Sequence, residues 1–214
     1  VARICHPLEL IFVHIPKCAG SSIGFRMDYV SKRYNVFEKE INTRILRTTN
    51  KHATADDCKY FLSSEVYDKY HKFSVVRNPF ARAVSWYMFR LQRLMQGRIR
   101  TNGVAADAAV ELELNIMLSQ GFQSWVRNYA FQPWNGTWFS LATPQSFWLN
   151  DDFEVIKYED IDQGIRHLKG FERGLKNRLK KTKEVNYRSF YDRKTRQYIG
   201  KMFEEDIERF EYKF

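Results

Sequence analysis

Apolar positions along the chain follow two patterns. Continuous branched and aromatic runs at about 10–15, 72–77 and 153–158 read as short buried strands. Between and after them, apolar residues recur at helical spacing near 22–33, 55–70, 79–96, 107–120, 160–169 and 190–210. Strands alternating with helices predict an α/β fold of three layers, a central parallel sheet flanked by helices. Ligands in such sheets bind beyond the carboxyl ends of the strands, which is where Lys17 and Arg77 fall. With 214 residues, one domain over 1–214 is expected.

The first strand runs into Ile15-Pro16-Lys17-Cys18-Ala19-Gly20-Ser21-Ser22, with Ile23, Met27 and Val30 forming the apolar face of a following helix. Amides around Gly20 to Ser22, a helix dipole, a lysine and two hydroxyls make a phosphate site. The order is not that of a Walker A loop, where the lysine follows the second glycine. The second strand ends at Arg77, and Asn78 and Pro79 read as N-cap and first residue of a helix. On that helix Arg82 and Ser85 share a face, so a guanidinium and a hydroxyl can meet one phosphate. Thr54 and Asp57 have capping-box spacing at the start of another helix, with His52 just before it.

Together these stretches resemble the sulfotransferases that use 3′-phosphoadenosine 5′-phosphosulfate (PAPS). Pro16-Lys17 ahead of Gly20-Ser21-Ser22 is similar to the family's 5′-phosphosulfate loop, and Arg77-Asn78-Pro79 followed by Arg82 to Ser85 is similar to its 3′-phosphate motif. Ala81 stands where the family often has a carboxylate. The position of His52 and the stretch from Tyr191 to Phe214 resemble the carbohydrate group typified by heparan sulfate 2-O-sulfotransferases and their bacterial relatives, and the likeness runs from about Leu10 to the end, more loosely between Gln96 and Asn150. The resemblance implies a P-loop-like fold and transfer of a sulfuryl group from PAPS to a hydroxyl, leaving PAP. It implies His52 as general base and Lys17 on the bridging oxygen, with Lys17, Cys18, Ala19, Gly20, Ser21 and Ser22 around the 5′-phosphate. Arg77 and Ser85 would hold the 3′-phosphate, joined by Lys183 and Arg188 from the basic stretch before the last helix. Gln145 corresponds to a polar position near the acceptor. No metal is expected for this chemistry.

A formal charge of +10, from 35 Lys+Arg against 25 Asp+Glu, favours anionic partners without choosing among them. The expected partner is a hydroxyl-bearing acceptor, glycan or small molecule, rather than nucleic acid. Cys5, Cys18 and Cys58 cannot all pair and show no Cys-x-x-Cys spacing, which argues against a disulfide framework or a zinc-thiolate site. Cys18 reads as a small loop-filling residue before a nucleophile. No apolar run reaches the roughly 18 residues of a membrane span. With unpaired cysteines and no leader, the cytoplasm is expected; a lumenal catalytic domain freed of an anchor is the alternative.

The aromatic segment from Phe122 to Trp148 reads first as core and second as an acceptor wall. His14 reads as a core residue, while His6, His71 and His167 have no partner legible in the sequence. Two other functions compete: a nucleotide kinase of the P-loop type, which lacks its glycine frame here, and a non-catalytic module for anionic polymers.

Overall fold

The computed structural model describes residues 2–33, 44–46, 53–97, 104–128, 143–175 and 185–214. In chain order the elements are β1 (Ala2–Cys5), β2 (Leu10–Val13), α1 (Gly20–Arg33), β3 (Arg44–Leu46), α2 (Ala55–Phe61), α3 (Ser64–Lys69) and β4 (His71–Val76). They continue with α4 (Pro79–Met95), α5 (Val104–Ser119), α6 (Gly121–Asn128), β5 (Glu154–Lys157), α7 (Ile161–Gly164), α8 (Arg193–Met202) and α9 (Glu204–Arg209). The described chain falls into two compact units, Val1–Arg77 with Gln145–Lys181, and Asn78–Pro144 with Thr182–Phe214.

The first unit holds a five-stranded sheet in the order β3-β1-β2-β4-β5. Its three expected strands, β2, β4 and β5, run parallel, so the P-loop-like α/β architecture with helices flanking the sheet is present. β1 and β3 extend the sheet on the far side of β2, and β1 runs antiparallel to both neighbours. That reversal is local: His6–Leu8 form one tight helical turn, and Glu9 closes it at φ 53 with its amide on the His6 carbonyl. β2 is buried at all four positions, as a central strand must be, and Phe12 meets Phe73 across the β2–β4 pair with ring centroids 5.1 Å apart. α1 is tied back to the sheet by Arg3, whose Nη1 lies 2.7 Å and 2.8 Å from the two Asp28 carboxylate oxygens.

The helix expected over 55–70 is two helices. Leu62 and Ser63 adopt extended backbone, with ψ of 150° and 151°, which interrupts the ladder between α2 and α3. The helix expected over 160–169 ends at Gly164, where a Cβ would lie 2.9 Å from the Ile156 side chain of β5.

The second unit is helical around Phe80, Val84, Tyr87, Phe122, Trp125, Ile199 and Phe203. The buried Glu113 carboxylate joins three helices, accepting from Arg90 Nε of α4 and Trp125 Nε1 of α6, each at 2.9 Å. The long terminal helix expected over 190–210 is broken at Phe203, a buried residue with ψ 29° that closes α8 and opens α9. Phe122, Trp125 and Trp148 are core residues and Phe147 is exposed; Tyr129, Phe131, Trp134, Trp138 and Phe139 lie outside the described residues. Among the described residues no helix is long and apolar enough to cross a membrane.

Candidate functional site

In the first unit, the carboxyl ends of β2 and β4 bring two predicted stretches together. Beyond β2 the chain turns through Pro16 to Ala19, and α1 begins at Gly20. Lys17 and Ala19 both have left-handed backbone, φ 70° and 59°, with Cys18 between them. Such conformations cost on the order of 1–2 kcal/mol each in a residue with a Cβ and persist where the surroundings impose them. Alternating backbone hands turn consecutive amides toward one concave side, the geometry of an anion nest. The first helical bonds run from Ser22 and Ile23 to the Ala19 carbonyl, so the amides of Gly20 and Ser21 precede the ladder. Ser21 is exposed at this end, whereas Ser22 is buried.

Glycine is required at position 20. A Cβ there would sit 1.8 Å from Cδ2 of His14, whose ring stacks on Phe12. His14, expected in the core, is half-buried at this turn, and its ring fills the space that a side chain at position 20 would need. Cys18 is buried, and its thiol donates to Gln145 Oε1 at 3.2 Å and to the Pro16 carbonyl at 3.6 Å. These contacts fit the loop-filling role. All three cysteines are buried thiols.

Gln145 is the centre of the arrangement. Its Oε1 accepts from the Arg77 amide and its Nε2 donates to the Arg77 carbonyl, each at 2.8 Å, while the same Oε1 takes the Cys18 thiol. The two donors facing Oε1 fix which way the amide points. One fully buried side chain thus ties the tip of β4 to the phosphate-type loop after β2. The Arg77 guanidinium lies 4.4 Å above the Tyr158 ring, and its Nη1 reaches the Lys17 carbonyl at 3.5 Å. Its Nε is buried with no hydrogen-bond partner among the described residues. An orphaned donor on a charged group costs 1–3 kcal/mol or more, which an anion held against it removes.

α2, whose first turn follows His52 in sequence, is anchored as its spacing predicts. Thr54 and Asp57 form a reciprocal capping box, the Thr54 amide donating to Asp57 Oδ2 at 2.7 Å and the Asp57 amide to Thr54 Oγ1 at 3.1 Å. Asn150 donates to Asp56 at 2.9 Å, and Asp152 accepts from the Tyr67 hydroxyl at 2.8 Å. That hydroxyl holds the Asp152 carboxyl below its usual range, while burial first and the Asp152 bond second push the Tyr67 phenol up to about 12.

His52 and Lys183 lie outside the described residues. Ser85 is buried in α4 of the second unit. Arg82 is fully buried there, donating to the Thr143 carbonyl at 3.1 Å and lying over Phe203. Arg188 is exposed in the same unit and donates to the Phe214 carbonyl at 3.1 Å. Asn78 and Pro79 open α4 as expected, with the Asn78 side chain accepting from the Phe80 amide.

Sequence reasoning did not single out Tyr158 or the Gln145 clamp. Tyr158 follows the third parallel strand, at the same end as Lys17 and Arg77, and that position was its one legible signal.

A sequence model described as the sulfotransferase family matches residues 2–171, which take in the whole sheet, the Lys17 loop, Arg77 and Gln145. No curated protein and no solved structure gives a significant match. A match of this extent, over a P-loop-like fold whose two strand-end motifs are joined at the half-buried Arg77, places the chain in the sulfotransferase family.

Proposed function

We propose that the protein is a PAPS-dependent sulfotransferase that sulfates a hydroxyl, with a carbohydrate as the favoured acceptor class. The observation that carries the donor assignment is the buried Nε of Arg77, without a hydrogen-bond partner among the described residues, on a residue whose backbone Gln145 holds beside the left-handed Lys17–Ala19 loop. Those residues fit a nucleotide carrying phosphates at two positions. The donor supplies the activated sulfuryl group; the chain supplies position and charge.

In this reading the amides at the head of α1 and the Ser21 hydroxyl bind the 5′-phosphate. Cys18 and Ser22, both buried, shape the loop. Lys17 places its ammonium where negative charge grows as the bond to sulfur breaks. Arg77 takes the 3′-phosphate, and Ser85, Lys183 and Arg188 stay in the proposal on the resemblance alone. His52 takes the acceptor proton. An unperturbed imidazole, with a pKa of about 6.5, is largely neutral at pH 7 and can do so. The carbohydrate acceptor rests on the likeness to the 2-O-sulfotransferase group and on the charge of +10, which suits an anionic glycan.

The test is transfer of 35S from labelled PAPS to a panel of glycans and small alcohols, with His52→Ala and Lys17→Ala beside the wild type. Transfer to a glycan that falls at least 100-fold in each variant supports the reading. Transfer undiminished in His52→Ala removes the base assignment, and no transfer to any acceptor together with no binding of PAP removes the enzyme assignment.

A further inference from the structure

At the opposite end of the sheet from Lys17 and Arg77, three side chains converge that the transfer reaction does not use. His71 is the first residue of β4, Glu154 the first of β5, and His167 lies in the turns after α7. His71 Nε2 is 2.7 Å from Glu154 Oε2, and His167 Nε2 is 3.0 Å from the same oxygen. The three ligand-type atoms lie within 4.8 Å of one another.

We propose that His71, Glu154 and His167 bind a divalent transition metal of the zinc class. Two imidazole nitrogens and one carboxylate oxygen are a donor set that zinc takes with a solvent molecule as fourth ligand. Tetrahedral bonds of about 2.0–2.1 Å put ligand atoms roughly 3.3 Å apart, so both nitrogen–oxygen pairs already lie within the needed span. The third pair closes by rotation of side chains that are exposed or half-buried.

The sheet prepares the cluster. β4 and β5 are parallel neighbours with Phe73 opposite Glu154, so His71, two residues before Phe73, projects from the same face as Glu154. Phe171 packs edge-on against Phe73 with centroids 6.3 Å apart, setting the chain that carries His167 beside that face. The His71 and His167 rings stand at 78° with centroids 6.0 Å apart, both presenting Nε2 to the carboxylate. The six residues of β4 separate His71 from Arg77 by about 20 Å, so the metal acts as a staple of β4, β5 and the turns after α7. This inference is independent of the proposed transfer activity.

Zinc titration by calorimetry on the full chain, with a reductant that does not bind zinc, tests it. The comparison set is wild type, Glu154→Gln, the His71→Gln/His167→Gln pair and His6→Gln as a control histidine. The expected result is one zinc bound per chain at micromolar affinity, a melting temperature raised by several degrees, and visible absorption on cobalt addition. Affinity falls at least tenfold in Glu154→Gln and in the paired variant, which also loses the cobalt bands, while His6→Gln is unchanged. No binding below millimolar zinc, or binding undiminished in the paired variant, overturns the proposal.

Discussion

At the scale of single residues, side chains from outside the loop, those of His14 and Gln145, fix its shape. Gly20 and His14 are a matched pair, because a Cβ at position 20 would lie 1.8 Å from the imidazole. Gly20→Ala is expected to lower stability by about 1–3 kcal/mol and to weaken PAP binding at least tenfold. Adding His14→Ala should recover part of both losses; a double variant as impaired as the single one would remove the pairing. Gln145→Leu leaves the Arg77 amide and carbonyl without their partner. Each buried group so stranded costs about 1–3 kcal/mol, so denaturant unfolding should show a loss of several kcal/mol. PAP binding should fall with it, since Gln145 holds both the amide and the carbonyl of Arg77. Arg77→Lys keeps the charge but loses the planar group that lies on Tyr158, and should bind PAP much more weakly than wild type.

At the scale of elements, local signals succeeded where one short motif set the geometry. Thr54→Ala should cost about 1 kcal/mol in thermal or denaturant unfolding and Thr54→Ser much less, since the hydroxyl caps the Asp57 amide. That cap, the Asn78-Pro79 start of α4 and all three parallel strands were legible in the sequence, because each is written in adjacent residues. The misses came from pairings and breaks that the local sequence does not mark. β1 and β3 are short, and what makes them strands is pairing with β2 and with each other, which four or three residues do not announce. The breaks at Leu62–Ser63 and Phe203 interrupt helical patterns without a proline or glycine to mark them. The candidate site divides the same way. Lys17, Gly20 and Arg77 stood out as motif residues, whereas Gln145 became central only when the fold set it 68 positions away in sequence from Arg77. Arg82 was read from its helix face, whereas its contacts with the Thr143 carbonyl and the Phe203 ring, distant in sequence, could not be.

At the scale of the whole molecule, burial of ionisable groups sets the alkaline limit of stability. Burial, followed by the nearby Asp57 charge, pushes the Cys58 thiol from 9.0 up to about 12. Burial likewise raises Tyr67 to about 12 and lifts the phenols of Tyr70, Tyr87 and Tyr191 above 10.0. The folded chain therefore holds protons that the unfolded chain releases near 9 to 10. This stabilisation is complete below about pH 9 and is lost as pH rises toward and past 12. The raised phenols of Tyr67, Tyr70, Tyr87 and Tyr191 should ionise only above the ordinary phenol range and together with unfolding, which phenolate absorbance follows. One step near 10 with the secondary structure intact would count against the buried set. Charge acts at the same scale: at +10, association with any anionic ligand should weaken steeply as salt is raised. The central claim is that Arg77 and the Lys17 loop recognise a nucleotide with both 3′- and 5′-phosphates, and the most direct measurement is calorimetric titration with PAP, ATP and AMP on wild type and Arg77→Ala. Tight PAP binding is expected, at least 100-fold weaker in Arg77→Ala, with ATP and AMP far behind. Absence of PAP binding, or a preference for ATP, would contradict it.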